Sequence, residues 1–249
     1  IVVPTFNLLI ALIIAGIVIS LNGDDPFEAL QLLIVGAFGN AEFIGFTLYF
    51  TTNFIFTGLA VAIAFHCGLF NIGGEGQAYI GGLGAGLVAL AFGHWPAPVV
   101  AVAVVLASAI FGASWAFIPG YLQAKRGSHV VITTIMFNFL AAALMTFLLV
   151  EVLIEPGQQA PHSREFHENS WMPFMHDITA YVGIELARSS LNLSFVLALL
   201  ASFLLWVLIW HTRWGYEIRA TGANQQAAIY AGISPSKNII LAMLISGGL

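Results

Sequence analysis

A polar, glycine-rich segment between two long apolar runs holds most of the residues that could do chemistry. It reads Gly-Leu-Phe-Asn-Ile-Gly-Gly-Glu-Gly-Gln over residues 68–77. The run before it is long enough to cross a membrane, and in lipid the backbone groups of this segment would lack hydrogen-bond partners. It must therefore line a protein cavity or form a loop at the membrane surface. An ionisable residue near membrane depth, here Glu75, is by default a candidate functional residue.

The segment combines a permissive backbone with polar side chains. Its glycines allow close approach of a helix or ligand, and its polar side chains supply hydrogen-bond donors and acceptors. The glycines are Gly73, Gly74 and Gly76, and the polar residues are Asn71, Glu75 and Gln77. One interpretation is an element of a translocation path or gate. The other is a tight turn between helices whose polar groups satisfy their own backbone, and the residues alone favour neither.

Polar residues also interrupt two of the apolar runs. Thr134 and Asn138 are one helical turn apart and share a face, with Thr133 beside them. A buried asparagine in a membrane span usually hydrogen-bonds across the bundle, and a polar pathway wall is the alternative. Asn53 and the two threonines before it allow the same two interpretations.

The other reactive side chains give weaker signals. Cys67 is the sole cysteine of the sequence, so an internal disulfide is excluded, and we interpret it as a packing residue. His66 is interpreted as a structural donor. The histidines of residues 155–190 lack the spacing of a structural zinc site. The sequence contains no Gly-x-Ser-x-Gly, Walker A or His-Glu-x-x-His motif, so we expect neither a hydrolytic centre nor a nucleotide site.

The composition predicts an all-α, polytopic transmembrane helical bundle. The chain is 59% hydrophobic and 8% charged, against about 25% charged residues in soluble domains. Complete apolar runs cover about residues 4–21, 45–65, 78–92, 99–118, 130–154 and 191–210, and an unfinished run starts at 238. Residues 27–38 are too short to span and are predicted to be interfacial. No basic tract supports nucleic-acid binding.

We expect one transmembrane domain over residues 1–249, truncated at both ends. Residues 66–77 form either a short cytoplasmic turn or an unwound segment that breaks a longer helix. Basic residues set the orientation. Lys125 and Arg126 follow the fourth run, and Arg213, Arg219 and Lys237 follow the sixth, so both loops should be cytoplasmic. The acidic loop 155–190 is then expected on the outer, periplasmic side.

The second informative segment is the cytoplasmic loop 212–237. Asn224 is a plausible N-cap for a short helix over residues 225–230, and Gly232 is a natural stop. The alanines of this helix allow close packing of another backbone. One interpretation is a docking helix for a cytoplasmic partner. The alternative, favoured by Trp214 and Tyr216, is an interfacial helix lying on membrane lipid.

In three blocks the chain resembles the permease subunits of bacterial ABC importers, in the branch for simple sugars and nucleosides that is related to branched-chain amino acid permeases. The blocks are residues 70–77, residues 125–138 and residues 219–233, in that order. The resemblance covers about residues 43–249. The chain departs from the family pattern at His129, where an acidic residue is usual, and at Gln225, where a proline is common.

The resemblance implies a transport subunit, not an enzyme, in the bacterial inner membrane. It implies a second permease subunit, identical or different, and a periplasmic or lipid-anchored substrate-binding protein. A cytoplasmic ATPase would carry the ATP and Mg, with no cofactor on this chain. The resemblance places the translocation path or gate at Asn71, Gly73, Gly74, Glu75, Gln77, Thr134 and Asn138. It places ATPase coupling at Arg219, Gly222, Asn224, Ala227, Ala228 and Gly232, and predicts that Ala228→Arg abolishes uptake without preventing membrane insertion.

Two other functions are compatible with the residues. An ion-coupled secondary transporter would use Glu75 as its proton or sodium site and would need no ATPase. An intramembrane enzyme would rest on the closeness of Glu75, His66 and Cys67 in the sequence alone. Substrate identity is not encoded in any motif of the chain.

Overall fold

The structure, a computed structural model, describes residues 2–181 and 183–249. In this described part the regular structure is helical, and β-pairing is limited to two isolated bridges. The all-α prediction is therefore confirmed. The chain divides into two compact units, the first up to residue 51 together with 173–192, and the second of residues 52–172 and 193–249.

The described residues form eleven α-helices. They are α1 (Val2–Leu21), α2 (Pro26–Phe38), α3 (Ala41–His66), α4 (Gly74–Phe92), α5 (Ala97–Arg126), α6 (Val130–Phe147), α7 (Met175–Ala180), α8 (Ser194–His211), α9 (Arg213–Ala223), α10 (Gln225–Tyr230) and α11 (Pro235–Gly248). A π-helical turn over Leu148–Val152 extends α6, and a 3₁₀ turn covers Glu168–Ser170. Helix α3 begins in the first unit and ends in the second.

Five of the described helices are long and apolar enough to cross a membrane. They are α1, α3, α5, α6 with its π-helical extension, and α8. Helices α4 and α11 coincide with the third and seventh apolar runs, and α2 is the short apolar helix expected between the first two spans. Their lengths and composition make the chain a multi-pass membrane protein.

The first unit is held locally by caps and one link between helices. Asp25 caps α2 by accepting a hydrogen bond from the Phe27 N–H at 2.8 Å, and Pro26 occupies the first helical position. The Thr47 hydroxyl of α3 donates to the Ala37 carbonyl of α2 at 2.9 Å. These contacts hold α2 against the start of α3.

Helix α5 corrects one sequence prediction. A span end was expected at Pro119-Gly120, because proline lacks the N–H that an α-helix needs. The helix instead continues to Arg126. Pro119 is fully buried, and a side chain at Gly120 would lie within 2.8 Å of the Met243 Cβ of α11. Packing of α11 against this stretch therefore favours the continuous helix over the local break.

The core of the second unit joins the end of α3 to α5, α6, α8, α9 and α11. Its buried members are Ile63, Ala64, Cys67, Leu69, Ala116, Val130, Leu205, Ile209, Ile218, Ile239, Ala242 and Met243. Cys67 is completely buried in this cluster, as its interpretation as a packing residue requires. Gly112 of α5 and Gly247 of α11 face each other, and a side chain at Gly112 would overlap the backbone of α11.

The basic loops lie on the same side of the second unit. The Ser236 hydroxyl, at the start of α11, donates to the Ala124 carbonyl near the end of α5 at 3.0 Å. Lys125 and Arg126 follow Ala124 directly, and Lys237 follows Ser236. The contact confirms that these two loops share a side.

Candidate functional site

Helix α3 ends in a turn closed by Gly68. The Gly68 N–H donates to the Phe65 carbonyl at 2.9 Å, and the Leu69 N–H donates to the Ala64 carbonyl at 2.9 Å. This pair of bonds is a Schellman motif, which requires a left-handed residue, and Gly68 has φ +75°. The chain is thereby turned back toward the bundle before α4 begins at Gly74.

A network of buried amides fills the break between α3 and α4. Asn71 Nδ2 donates to Gln77 Oε1 at 3.1 Å, and Gln77 Nε2 donates to Asn71 Oδ1 at 3.2 Å. Asn71 Oδ1 also accepts from the Gly73 N–H at 2.8 Å. Asn71 is 3% exposed and Gln77 is 6% exposed. The two amides thus satisfy each other and the turn, away from water.

Two other helices fix this network from outside the segment. Asn71 Nδ2 donates to the Ser246 hydroxyl of α11 at 2.8 Å, and that hydroxyl donates to the Ala60 carbonyl of α3 at 2.6 Å. Asn138 of α6 accepts from the Gly76 N–H at 2.9 Å and donates to the Ile72 carbonyl at 2.9 Å. The broken backbone therefore receives the partners that lipid could not supply.

The network lies well inside the bundle. Ser246 is 11 residues beyond the start of α11 at Pro235, or roughly 16 Å along the axis. Asn138 is 8 residues beyond the start of α6, or roughly 12 Å, and Ala60 is 6 residues before the end of α3, or roughly 9 Å. The segment between α3 and α4 is therefore non-helical, and its polar groups bond to α3, α6 and α11 along the lengths of these helices.

The expected path residues divide into three groups. Asn71, Gly73, Gln77 and Asn138 meet in the network, and Gly74 follows directly as the first residue of α4. Thr134 is buried beside it, and its hydroxyl donates to the Val130 carbonyl of its own helix at 2.8 Å. Glu75 is exposed and takes part in no ion pair among the described residues, so the structure separates it from the polar centre.

A cleft of about 390 Å³ opens beside the network. Such a volume lies within the range of about 300–1,000 Å³ that is common for small-molecule sites. Its walls come from α3, α4, α5 and α11, and most are small or apolar. The lining residues are Asn53, Phe56, Thr57, Ala60, Gly74, Gln77, Ala78, Gly81, Gly82, Ser108, Ser246, Gly247, Gly248 and Leu249.

Most polar side chains of the cleft already have partners. Thr57 donates to the Asn53 carbonyl at 3.0 Å, and Gln77 and Ser246 belong to the network. The Asn53 amide and the Ser108 hydroxyl remain available to a bound molecule. Neither Ser246 nor Ser108 was expected from the sequence to belong to the site. The Ser-Gly-Gly sequence at residues 246–248 was a signal for close backbone approach, but not for the partner of Asn71.

The loop 212–237 forms two short helices. Asn224 caps α10 as predicted, since its Oδ1 accepts from the N–H groups of Gln226 at 2.9 Å and Ala227 at 3.0 Å. Gly232, with φ +77°, ends the helix as predicted. Thr212 caps α9 in the same way by accepting from the Gly215 N–H at 3.1 Å.

The expected coupling residues do not share one exposed surface. Ala228 is 3% exposed, whereas Ala227 is exposed and Tyr230 is 97% exposed. Arg219 places its guanidinium over the Trp210 ring, with Cζ 4.5 Å from the ring centroid. Gly222 packs against the turn that follows α3. A partner that docks on α10 would therefore meet Ala227 and Tyr230, and Ala228 would support the helix from beneath.

The fold and the site are typical of membrane transport proteins, in which a broken helix brings backbone dipoles and polar side chains to a site within the membrane. The chain belongs to the family described as "Branched-chain amino acid transport system / permease component", whose model matches residues 43–249. It is a permease subunit of an ATP-binding cassette (ABC) transporter.

Several curated proteins are similar over nearly the whole chain. The guanosine ABC transporter permease protein NupP of Bacillus subtilis is 36% identical over 98% of this chain and 68% of its own length. The nucleoside ABC transporter permease protein NupB of Lactococcus lactis is 32% identical over 99% and 67%. The glucose ABC transporter permease protein TsgB13 of Haloferax volcanii is 28% identical over 98% and 64%. No solved structure gives a significant match.

Proposed function

We propose that the chain is the permease subunit of an importer that moves nucleosides into the cell across the bacterial cytoplasmic membrane. A separate ATPase binds ATP and Mg and docks on α10, a second permease subunit completes the path, and a substrate-binding protein delivers the nucleoside to the outer face. The chain itself supplies no catalytic group. Three similar proteins carry names for ABC permeases of guanosine, nucleosides or glucose, and the two nucleoside-type names belong to those of higher identity.

The lining of the cleft is the observation that favours a nucleoside over a free sugar as the substrate. A hexose presents a hydroxyl on almost every carbon, and burying hydroxyls without partners costs free energy. The cleft offers only the Asn53 amide and the Ser108 hydroxyl beyond its own internal bonds. Phe56 adds an aromatic face, on which a planar base can stack. A nucleoside carries ribose hydroxyls as well, so the stacking of its base on Phe56 is the feature that favours it over a free sugar.

The test is uptake by bacteria that lack their own nucleoside importers and express the full-length chain with its partner subunits. Labelled guanosine and uridine are compared with labelled glucose at equal concentration. Uptake of the nucleosides with no uptake of glucose is the expected result. Glucose uptake that exceeds nucleoside uptake would make the chain a sugar permease.

Paired phenylalanine variants locate the substrate path. Phe56 lines the cleft, whereas Phe54, two residues before it on α3, is 76% exposed and does not. A stacked base contributes about 1–3 kcal/mol, so Phe56→Ala should raise KM for guanosine by roughly fivefold to a hundredfold. Phe54→Ala should leave KM unchanged. Equal effects of the two changes would remove the cleft from the path.

Coupling to an ATPase is tested separately by purification of the full-length transporter. An ATPase subunit should accompany the chain, and uptake should persist when an ionophore dissipates the ion gradients while ATP is held constant. Uptake that collapses under the ionophore, with no ATPase in the preparation, would favour an ion-coupled secondary transporter.

A further inference from the structure

The end of α9 packs directly on the turn that begins the broken helix. A side chain at Gly222 would overlap the His66 carbonyl oxygen and would lie 2.7 Å from the Gly68 nitrogen and 2.8 Å from the Cys67 carbonyl carbon. These are backbone atoms, so none of them can move aside as the tip of a flexible side chain would. The glycine at 222 is therefore required by this contact. Its own backbone is helical, as any residue could be.

The same end of α9 is tied to the bundle by a buried asparagine. Asn238 of α11 is 2% exposed, and its Nδ2 donates to the Thr221 hydroxyl at 2.9 Å and to the Glu217 carbonyl at 3.2 Å. The Thr221 hydroxyl in turn donates to the Glu217 carbonyl at 2.8 Å. Because Gly222 follows Thr221 directly, the end of α9 contacts both α11 and the turn at Gly68.

The turn leads to the polar network within a few residues. Leu69 is buried, Phe70 stacks on Phe65 with ring centroids 5.1 Å apart, and Asn71 is the first residue of the network. On the other side of the contact, one residue separates Gly222 from Asn224, the N-cap of α10. The helix α10 and the broken helix are thus linked by a short path in which the backbones of Gly222 and Gly68 are in direct contact.

We propose that Gly222 and Gly68 form a junction that positions the broken helix according to the placement of α9 and α10. The inference rests on the proposed function, since it supposes that a cytoplasmic ATPase acts on α10. Motion of α10 moves the end of α9, and the glycine contact passes that motion to the backbone between α3 and α4. There it repositions Asn71 and Gly76 relative to Ser246 and Asn138. Gly222 and Gly68 are positioning residues, and neither contacts substrate.

Cys67 provides a native reporter for this junction. Its side chain is completely buried beneath the contact, which keeps a water-soluble reagent away from the thiol. Maleimide should therefore label Cys67 slowly while the junction is closed. Separation of α9 from the turn would expose the thiol.

The first experiment uses the wild-type, full-length transporter with its partner subunits. Maleimide labelling of the peptide that contains Cys67 is followed by mass spectrometry, without nucleotide and with ATP trapped on the ATPase. The proposal expects labelling rates that differ by about tenfold or more, the change that 1.4 kcal/mol would give. Equal rates in the two states would overturn it, whatever the behaviour of any variant.

The second experiment compares Gly222→Ala with Gly58→Ala. Gly58 lies in α3 with nothing near the position of an added Cβ. Gly222→Ala should retain the ATPase and its hydrolysis, lower uptake by about tenfold or more, and label at Cys67 without nucleotide, whereas Gly58→Ala should behave as wild type. Normal uptake by Gly222→Ala with Cys67 still protected would refute the junction. Absence of an ATPase from the wild-type preparation would instead refute the proposed function.

Discussion

Asn138 is the side chain that joins α6 to both sides of the break. It accepts a hydrogen bond from the Gly76 N–H and donates one to the Ile72 carbonyl. The sequence placed Asn138 on the same face as Thr134, and the structure separates their roles. Thr134 bonds to its own helix, whereas Asn138 bonds across helices. An amide donates from one atom and accepts at another, so a single side chain can bond to two separated backbone groups. A hydroxyl has one oxygen for both and is shorter.

Replacement of Asn138 should lower stability more than replacement of an exposed asparagine. Asn138→Ala leaves the N–H of the buried residue Gly76 without its partner, which should cost about 1–3 kcal/mol of the free energy of unfolding. Asn53→Ala, on the exposed side of α3, is the matched control for stability. Thermal unfolding in detergent measures both, and equal Tm values for the two variants would contradict the assigned role.

A change at Glu75 distinguishes an ATP-driven permease from an ion-coupled secondary transporter. The structure leaves its side chain exposed and outside the lining of the cleft. Glu75→Gln should therefore keep most of the uptake in an ATP-driven permease, because no proton or sodium site is lost. Initial uptake rates at equal protein levels provide the measurement. Loss of uptake in Glu75→Gln, together with sensitivity to an ionophore, would revive the secondary transporter.

At the scale of elements, α10 presents two alanines with opposite environments. Ala227→Arg places a charge on an exposed position, so it should release the ATPase while Tm stays within about 2 °C of wild type, as for most surface substitutions. Ala228→Arg places a charge in a buried position and should lower Tm and the yield of folded protein. From the sequence, Ala228→Arg was expected to test docking. Because Ala228 is buried, this variant tests folding instead.

Co-purification and thermal unfolding of the two variants measure docking and folding separately. If Ala227→Arg retains the ATPase as wild type does, α10 lies on the membrane surface and is not the docking helix. If Ala228→Arg folds normally, the packing role assigned to Ala228 beneath α10 is wrong.

At the scale of the molecule, the arrangement of the loops predicts which side faces the cytoplasm. His129 belongs to a basic loop that contacts the start of α11, and Gln158 lies in the acidic loop beyond α6. Positively charged loops remain in the cytoplasm. A membrane-impermeant maleimide added to whole cells should therefore label Gln158→Cys and spare His129→Cys. Labelling in the reverse order would invert the orientation, and native Cys67 gives little background because it is buried.

The residues by themselves determined the helical membrane class, the places of most spans, the caps at Asn224 and Gly232, and the permease family. The membrane class and the spans follow from composition, the caps follow from hydrogen bonds between neighbouring residues, and the family follows from the order of the motifs. The sequence also indicated that residues 66–77 were special. It could not decide between a surface turn and a break within the membrane, because both satisfy the same local rules.

Only the tertiary structure decided how the polar residues pair. Asn71 and Ser246 are 175 positions apart, and no local pattern relates them. The same holds for the Gly222 contact with Gly68, for the burial of Ala228 and for the continuation of α5 through Pro119. In each case packing between distant helices supplies or removes a partner, and the free energy of that contact outweighs the preference of the local sequence.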